Sequence, residues 1–152
     1  MRIAVRPARP GDLQRVLELL DELREGATPG IPWERPEPER ALATWKAMLE
    51  QPGRTILVAE ADGEPIGVAD LIVVQNLTRG AASIAYVENV AVASAHRRQG
   101  AGRALMAEAE ARAREAVCYK LQLLSYRGRE GAHRFYRSLE YEAAAEGFRR
   151  YL

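Results

Sequence analysis

The chain has 152 residues, 47% of them hydrophobic and 28% charged, a balance that suits one globular domain over residues 1–152 and argues against disorder. Its 22 basic and 21 acidic side chains leave a formal net charge of +1, so no whole-molecule attraction to nucleic acid or anionic lipid is indicated, and any preference for anions must be local. One cysteine and two histidines supply neither an internal disulfide nor a metal-ligand set; with no apolar run of about 18 residues and no signal-like amino terminus, the expectation is a cytoplasmic protein without metal, nucleic-acid or membrane partners.

Residues 2–6 (RIAVR) alternate as an opening strand with one buried face should. Pro10, Gly11 and Asp12 punctuate the chain, and Asp12 is the expected cap of a helix bearing Leu13, Val16, Leu17, Leu20 and Leu23 at helical spacing, closed by Gly26. Residues 27–38 (ATPGIPWERPEP) hold four prolines and a glycine and predict an irregular segment. Its Trp33 and Glu34 read either as ligand-facing or, for the tryptophan, as a pin on the core. The helical pattern resumes with Leu42, Trp45 and Leu49. Residues 55–60 (TILVAE) and 65–74 (PIGVADLIVV), joined at Asp62-Gly63, predict a hairpin, and a further turn leads into residues 82–92 (ASIAYVENVAV). An alanine-rich helix over 100–116 and a strand at 120–124 (KLQLL) then form a right-handed crossover, which makes that strand parallel to the one before it. A short helix at 131–139 and an extended segment at 142–151 complete the predicted order. Cys118 reads as a small hydrophobe in preference to a nucleophile.

The chemically richest stretch is Arg97-Arg98-Gln99-Gly100-Ala101-Gly102 with Arg103, set between a buried strand and a helix start. Unpaired N–H groups and the helix dipole favour an anion there, and glycines let the backbone approach it. No Gly-Lys-Ser/Thr follows, which removes the triphosphate loop, and position 105 is Leu, so the three-glycine dinucleotide fingerprint fails as well.

This run resembles the acyl-coenzyme A signature, Gln/Arg-x-x-Gly-x-Gly/Ala, of the GNAT superfamily of N-acetyltransferases, filled here by Arg97, Gly100 and Gly102 after a strand ending Asn89-Val90-Ala91-Val92. The stretch His133-Arg134-Phe135-Tyr136-Arg137-Ser138-Leu139 is similar to the family's second signature helix. The resemblance implies an α/β (α+β) fold: a mixed, mostly antiparallel six- or seven-stranded sheet with a splayed parallel pair, flanked by about four helices. It further implies acetyl-CoA as cosubstrate. The pyrophosphate would rest on Arg97, Arg98, Gln99, Gly100, Ala101, Gly102 and Arg103, and the pantetheine arm on the backbone of Val90, Ala91 and Val92, with Ser125 and Tyr136 alongside. The family usually places Gly-Phe or Gly-Tyr where this chain has Glu140-Tyr141, and an asparagine often found after the fifth strand is missing.

Amide formation from a thioester needs a neutral amine, a held oxyanion and a proton for the leaving thiolate. A tyrosine is protonated at neutral pH, so Tyr136, at the family's position for that task, is the expected acid; packing against pantetheine is its structural alternative. Glu88, a charge inside a core strand, is either the base that faces the amine, and so also an acceptor-binding residue, or half of a salt bridge. His96 and His133 read as surface groups. Arg127, Arg129, Arg134 and Arg137 are expected to steer the cofactor's phosphates. The implied activity is acetyl transfer to a primary amine of a small molecule by direct attack through a tetrahedral intermediate. Acetylation of protein N-termini or lysines, and a non-catalytic CoA-binding sensor, are the alternatives, and a homodimer is left open.

Overall fold

A computed structural model describes residues 1–24 and 30–152; Gly26, the expected helix stop, lies outside the described residues. The chain runs β1 (Ile3–Pro7), α1 (Leu13–Asp21), α2 (Pro38–Glu50), β2 (Arg54–Ala61), β3 (Glu64–Val74), β4 (Ser83–Val92), α3 (Ala101–Glu115), β5 (Cys118–Gln122) and α4 (Glu130–Arg137). The sheet order is β1-β2-β3-β4-β5. The first three pairings are antiparallel and β4–β5 is parallel, as the crossover requires. The mixed sheet and the four helices match expectation. The strand count is five among the described residues, not six or seven, because residues 142–152 join no ladder. Residues 142–149 (EAAAEGFR) lack any β-branched side chain to pack on a pleated surface.

Alternation in β2 explains both cores. Ile56 and Val58 face α1 and α2, meeting Val16, Leu19 and Trp45, while Leu57 and Ala59 face α3, meeting Leu105, Met106 and Ala109. The Trp45 indole donates to the Pro10 carbonyl at 3.1 Å, which satisfies its one polar atom inside the core. Asp12 departs from expectation. Its side chain caps no N–H of α1; it accepts from the Arg9 N–H at 2.6 Å and from Arg6 at 2.7 and 3.0 Å. That fork holds its carboxyl below the usual range, with the Arg6 hydrogen bonds as the main cause. Gly102 has a packing reason to be glycine, since a Cβ there would lie 3.1 Å from Phe135 Cζ, and α4 sits close on α3 at this point.

Two irregularities in β4 create the site. Asp70 pairs with Glu88 and Val68 with Ala91, so the one residue between them on β3, Ala69, faces both Asn89 and Val90. Asn89 takes the left-handed conformation, φ 53°, and forms a β-bulge. The bulge resets the alternation: Ala85 and Val87 face α3, and so do Val90 and Val92. The second irregularity is a splay. Pairing with β5 ends at Tyr86 opposite Gln122, while β4 runs on to Val92, which leaves its outer edge without a neighbouring strand.

Candidate active site

A cavity of about 460 Å³ opens at this splay. Val87, Glu88, Asn89 and Val90 form its floor, with Leu124, Ser125 and Tyr126 on the chain leaving β5 as the facing wall. Arg129 and Tyr136 enter from the α4 side. Leu23, Ile31, Pro32 and Trp33, and Arg149 and Tyr151 of the carboxyl-terminal segment, also line the cavity. Of the sequence-derived candidates, Glu88, Val90, Ser125, Tyr136 and Trp33 therefore meet in one place. Trp33 also donates from its indole to Asp21 at 3.2 Å, so it both pins its loop and lines the cavity. Glu34 is exposed and lines no part of it.

Tyr136 is held by the way α4 ends. The Tyr141 N–H donates to the Tyr136 carbonyl at 3.1 Å and the Glu140 N–H to the Arg137 carbonyl at 3.0 Å, the two bonds of a Schellman cap. The cap's accompanying ring contact is present as well: Tyr136 and Tyr141 meet edge-on with centroids 6.1 Å apart. Tyr141 in turn donates its hydroxyl to Glu110 of α3 at 3.0 Å. Glu140 occupies the left-handed position, φ 66°, that the family fills with glycine, so the turn keeps its shape despite the substitution. Burial pushes the Tyr136 hydroxyl upward, with Arg129 opposing and the negative charge of Glu88 adding to the rise. The phenol thus keeps its proton at neutral pH.

Glu88 is also raised, first by burial and then by Asp70, with Arg149 pulling the other way. The salt-bridge account fits Asp70 and not Glu88. Asp70, 2% exposed, is the one bound to arginine: Arg54 Nε donates to its Oδ1 at 2.9 Å and a second guanidinium nitrogen contacts Oδ2. Glu88 forms no ion pair among the described residues. A lone Asp within the apolar run PIGVADLIVV was the available sign that β3 contributes a charge beneath the cavity. Ser125 Oγ is buried without a hydrogen-bond partner, an orphaned polar atom on the wall of the gap.

At the other end of β4, Gly100 (φ 99°) turns the chain into α3 without any side-chain cap. The first intrahelical bond among the chain-start groups is Ala104 N–H to Gly100 C=O at 2.9 Å, so the N–H groups of Ala101, Gly102 and Arg103 precede the ladder and point out of the helix end. Arg98 is left-handed as well, φ 60°, and alternation of handedness around Gln99 makes a concave run of backbone N–H groups. The side chains of the run divide between partners elsewhere and the rim. Arg97 is tied to Glu22 at 2.8 Å and to the Val92 carbonyl at 3.4 Å, Gln99 donates to Ala95 O at 3.0 Å, and Ala101 is buried. Arg98 and Arg103 are exposed at the rim. An uncapped helix start, a strand edge with unpaired amides and an orphaned serine hydroxyl fit a cofactor with a diphosphate and an amide-bearing arm. Arg134 pairs weakly with Glu130 at 3.7 Å, Arg127 and Arg137 are exposed, His133 is half-buried, and His96 has a buried Nδ1 without a partner. Burial raises the Cys118 thiol, as suits a packed hydrophobe.

The sequence model of the acetyltransferase (GNAT) family matches residues 14–141. The chain belongs to the GNAT acetyltransferase family. A putative acetyltransferase from Agrobacterium tumefaciens is 39% identical, with a TM-score of 0.87 over 98% of this chain and 99% of that one. A protein described as a transcriptional regulator from Bacillus halodurans is 28% identical, with a TM-score of 0.87 over 99% and 100%. AAC(6')-Iy in complex with the bisubstrate analogue CoA-S-monomethyl-acetylneamine shares the fold at 18% identity, with a TM-score of 0.78 over 100% and 99%. No curated protein matches the chain in sequence. Among the described residues there is no group able to hold a metal ion, and no helix long and apolar enough to cross a membrane. Arg149, Tyr151, Leu124 and Tyr126 of the cavity wall went unread in the sequence; no short motif marks them.

Proposed function

We propose that this GNAT protein transfers the acetyl group of acetyl-CoA to the primary amine of a small molecule, as one acetyltransferase domain over residues 1–152. The observation that carries this reading is the convergence of Glu88 and Tyr136 on one cavity, at the open edge of the strand that leads to the uncapped start of α3. Acetyl-CoA supplies an activated thioester. The N–H groups at 98–103 receive its diphosphate, and the outer edge of β4 at Val90 and Val92 receives the amides of its arm. Ser125 offers its hydroxyl beside them. Glu88, its carboxyl raised by burial and by Asp70, is the stronger base for it and accepts a proton from the incoming ammonium, directly or through water. The backbone near Val90 faces the developing oxyanion. Tyr136 donates a hydrogen bond to the leaving sulfur; because its hydroxyl lies above an ordinary thiol, proton sharing with the thiolate is favoured over complete transfer.

A cavity of about 460 Å³ lies in the range of small-molecule sites, which favours a small acceptor over a peptide. The sensor reading, to which the regulator description of one neighbour corresponds, leaves the paired placement of Glu88 and Tyr136 without a task. Cytoplasmic residence and a homodimer belong to the same proposal. Calorimetry with acetyl-CoA and an amine panel read by release of free thiol test it together. Binding with thiol release supports transfer, binding without release from any amine supports the sensor, and no binding overturns the cofactor assignment.

A further inference from the structure

We infer that the acceptor carries an anionic group beside its amine, and that Arg129 and Arg149 bind that group, which makes the substrate an apolar amino acid or a similar amino-anion in place of a polycation. This inference rests on the acetyl-transfer reading above and names the substrate class of that site.

Among the residues lining the cavity, Glu88 is the one carboxylate, and Arg129 and Arg149 are the cations. Neither arginine has an ion-pair or side-chain hydrogen-bond partner among the described residues; exposed arginines such as Arg98, Arg103, Arg127 and Arg137 share that lack, and what sets Arg129 and Arg149 apart is that they line the cavity. The two guanidiniums reach the cavity from different elements. Arg129 stands at the start of α4, beside Tyr136, and Arg149 lies in the segment that follows α4. Arginine's planar fork matches a carboxylate or a phosphate. The diphosphate loop does not account for them, since no residue from 97 to 103 lines this cavity. A polycation would bring further positive charge against both arginines, with a single carboxylate to answer it.

The rest of the wall describes the body of the acceptor. Trp33, Tyr126 and Tyr151 add aromatic surface, and Leu23, Ile31 and Leu124 add aliphatic surface. One carboxylate at the amine, two cations at the anion and an apolar remainder suit an amino acid with an aromatic or branched side chain.

Matched acceptors test this: phenylalanine against phenethylamine, phosphoethanolamine against ethanolamine, and neamine as the polycation, each with acetyl-CoA and thiol release as the readout. The expected kcat/KM for phenylalanine exceeds that for phenethylamine by about ten- to a hundredfold, the range of a charge-assisted hydrogen bond. That ratio falls toward unity in Arg149→Gln and in Arg129→Gln, through KM, and is partly kept in Arg149→Lys. A larger ratio for the phosphate pair assigns the anion as phosphate. Equal use of charged and neutral members, preference for neamine, or a loss of CoA affinity in the variants in place of a changed ratio would overturn the inference. Should no amine release thiol, the transfer reading fails by itself. Calorimetric titration of phenylalanine and phenethylamine into the CoA-bound protein then decides the subsite, preference for phenylalanine supporting it and parity removing it.

Discussion

The loop at the start of α3 and the cavity beside Glu88 lie along one strand, and they are built by opposite means. The loop is continuous in sequence and, on the proposed reading, works through main-chain N–H groups set by the left-handed Arg98 and Gly100; Arg97 is turned to Glu22, while Arg98 and Arg103 stay exposed at the rim. The cavity draws its walls from stretches around residues 31, 88, 125, 136 and 149, and its chemistry depends on side chains. A main-chain site is sensitive to backbone angles and tolerant of side-chain change, whereas a side-chain site has the reverse sensitivity. Substitutions that separate these two sensitivities test the contrast.

The largest effect is expected at Tyr136. Tyr136→Phe removes one hydroxyl from the cavity and nothing from the loop, so turnover should fall by about 10²- to 10⁴-fold while calorimetry finds CoA bound as before. Equal losses in turnover and CoA affinity would show that the tyrosine serves the cofactor and not the chemistry. Next comes Gly100→Val. A β-branched residue at φ 99° is strained by about 1–3 kcal/mol, although the nearest neighbour of an added Cβ, Ile3 Cδ1, is a comfortable 3.8 Å away. CoA affinity should therefore weaken by about five- to 150-fold, and Arg98→Ala, which keeps the backbone course, should weaken it far less. The opposite ranking would mean that the loop grips with side chains.

The same contrast explains what could be read in advance. The loop and the Phe135-Tyr136 helix were legible because each is a short continuous pattern whose spacing states its geometry. The strands were legible from alternation, and the parallel pair from the length of the crossover. The cavity's long-range members were not. Arg149 and Tyr151 lie in a segment that pairs with no strand, and nothing local distinguishes them from surface residues. The Asn89 bulge was hidden as well, since a single asparagine in VENVAV does not announce a change of facing. The six or seven strands come from the family resemblance, and the extended segment at 142–151 has no β-branched side chain between 142 and 149 to seat it on a sheet. Glu34 stands next to Trp33 in the chain, and Trp33 alone of the two lines the cavity.

A smaller effect is expected in the pH dependence, and it belongs to the cavity alone. On the proposed mechanism Glu88 acts as base when ionised, and burial with Asp70 holds its carboxyl above the usual value, so the acid limb of kcat/KM should lie above an ordinary glutamate's. Asp70→Asn removes a repelling negative charge, lowers the Glu88 pKa and moves that limb to lower pH. Arg149→Gln removes an attracting positive charge and moves it to higher pH. Glu88→Gln should abolish the limb. A limb indifferent to both neighbours would belong to another group. Melting curves accompany the Asp70 variant, because it leaves Arg54 without its buried partner at a cost of about 3–5 kcal/mol.

The smallest effect is a gain. Glu140 holds φ 66° in the Schellman cap, a conformation that costs a residue with a Cβ about 1 kcal/mol relative to glycine. Its side chain is exposed and makes no hydrogen bond or ion pair among the described residues, so Glu140→Gly gives up no contact. Stability should rise by about 0.5–1 kcal/mol, less than the full strain because glycine also loosens the unfolded chain, and Tm by about 1–4 °C for a chain of this size. The substitution is the mirror of Gly100→Val: one removes a side chain from a left-handed position and the other adds one. If Glu140→Gly lowers Tm, the cap that fixes Tyr136 draws its strength from the glutamate side chain and not from the two backbone bonds. The division between a main-chain loop and a side-chain cavity would then fail at α4, whose Phe135 packs on Gly102 while its Tyr136 faces the cavity.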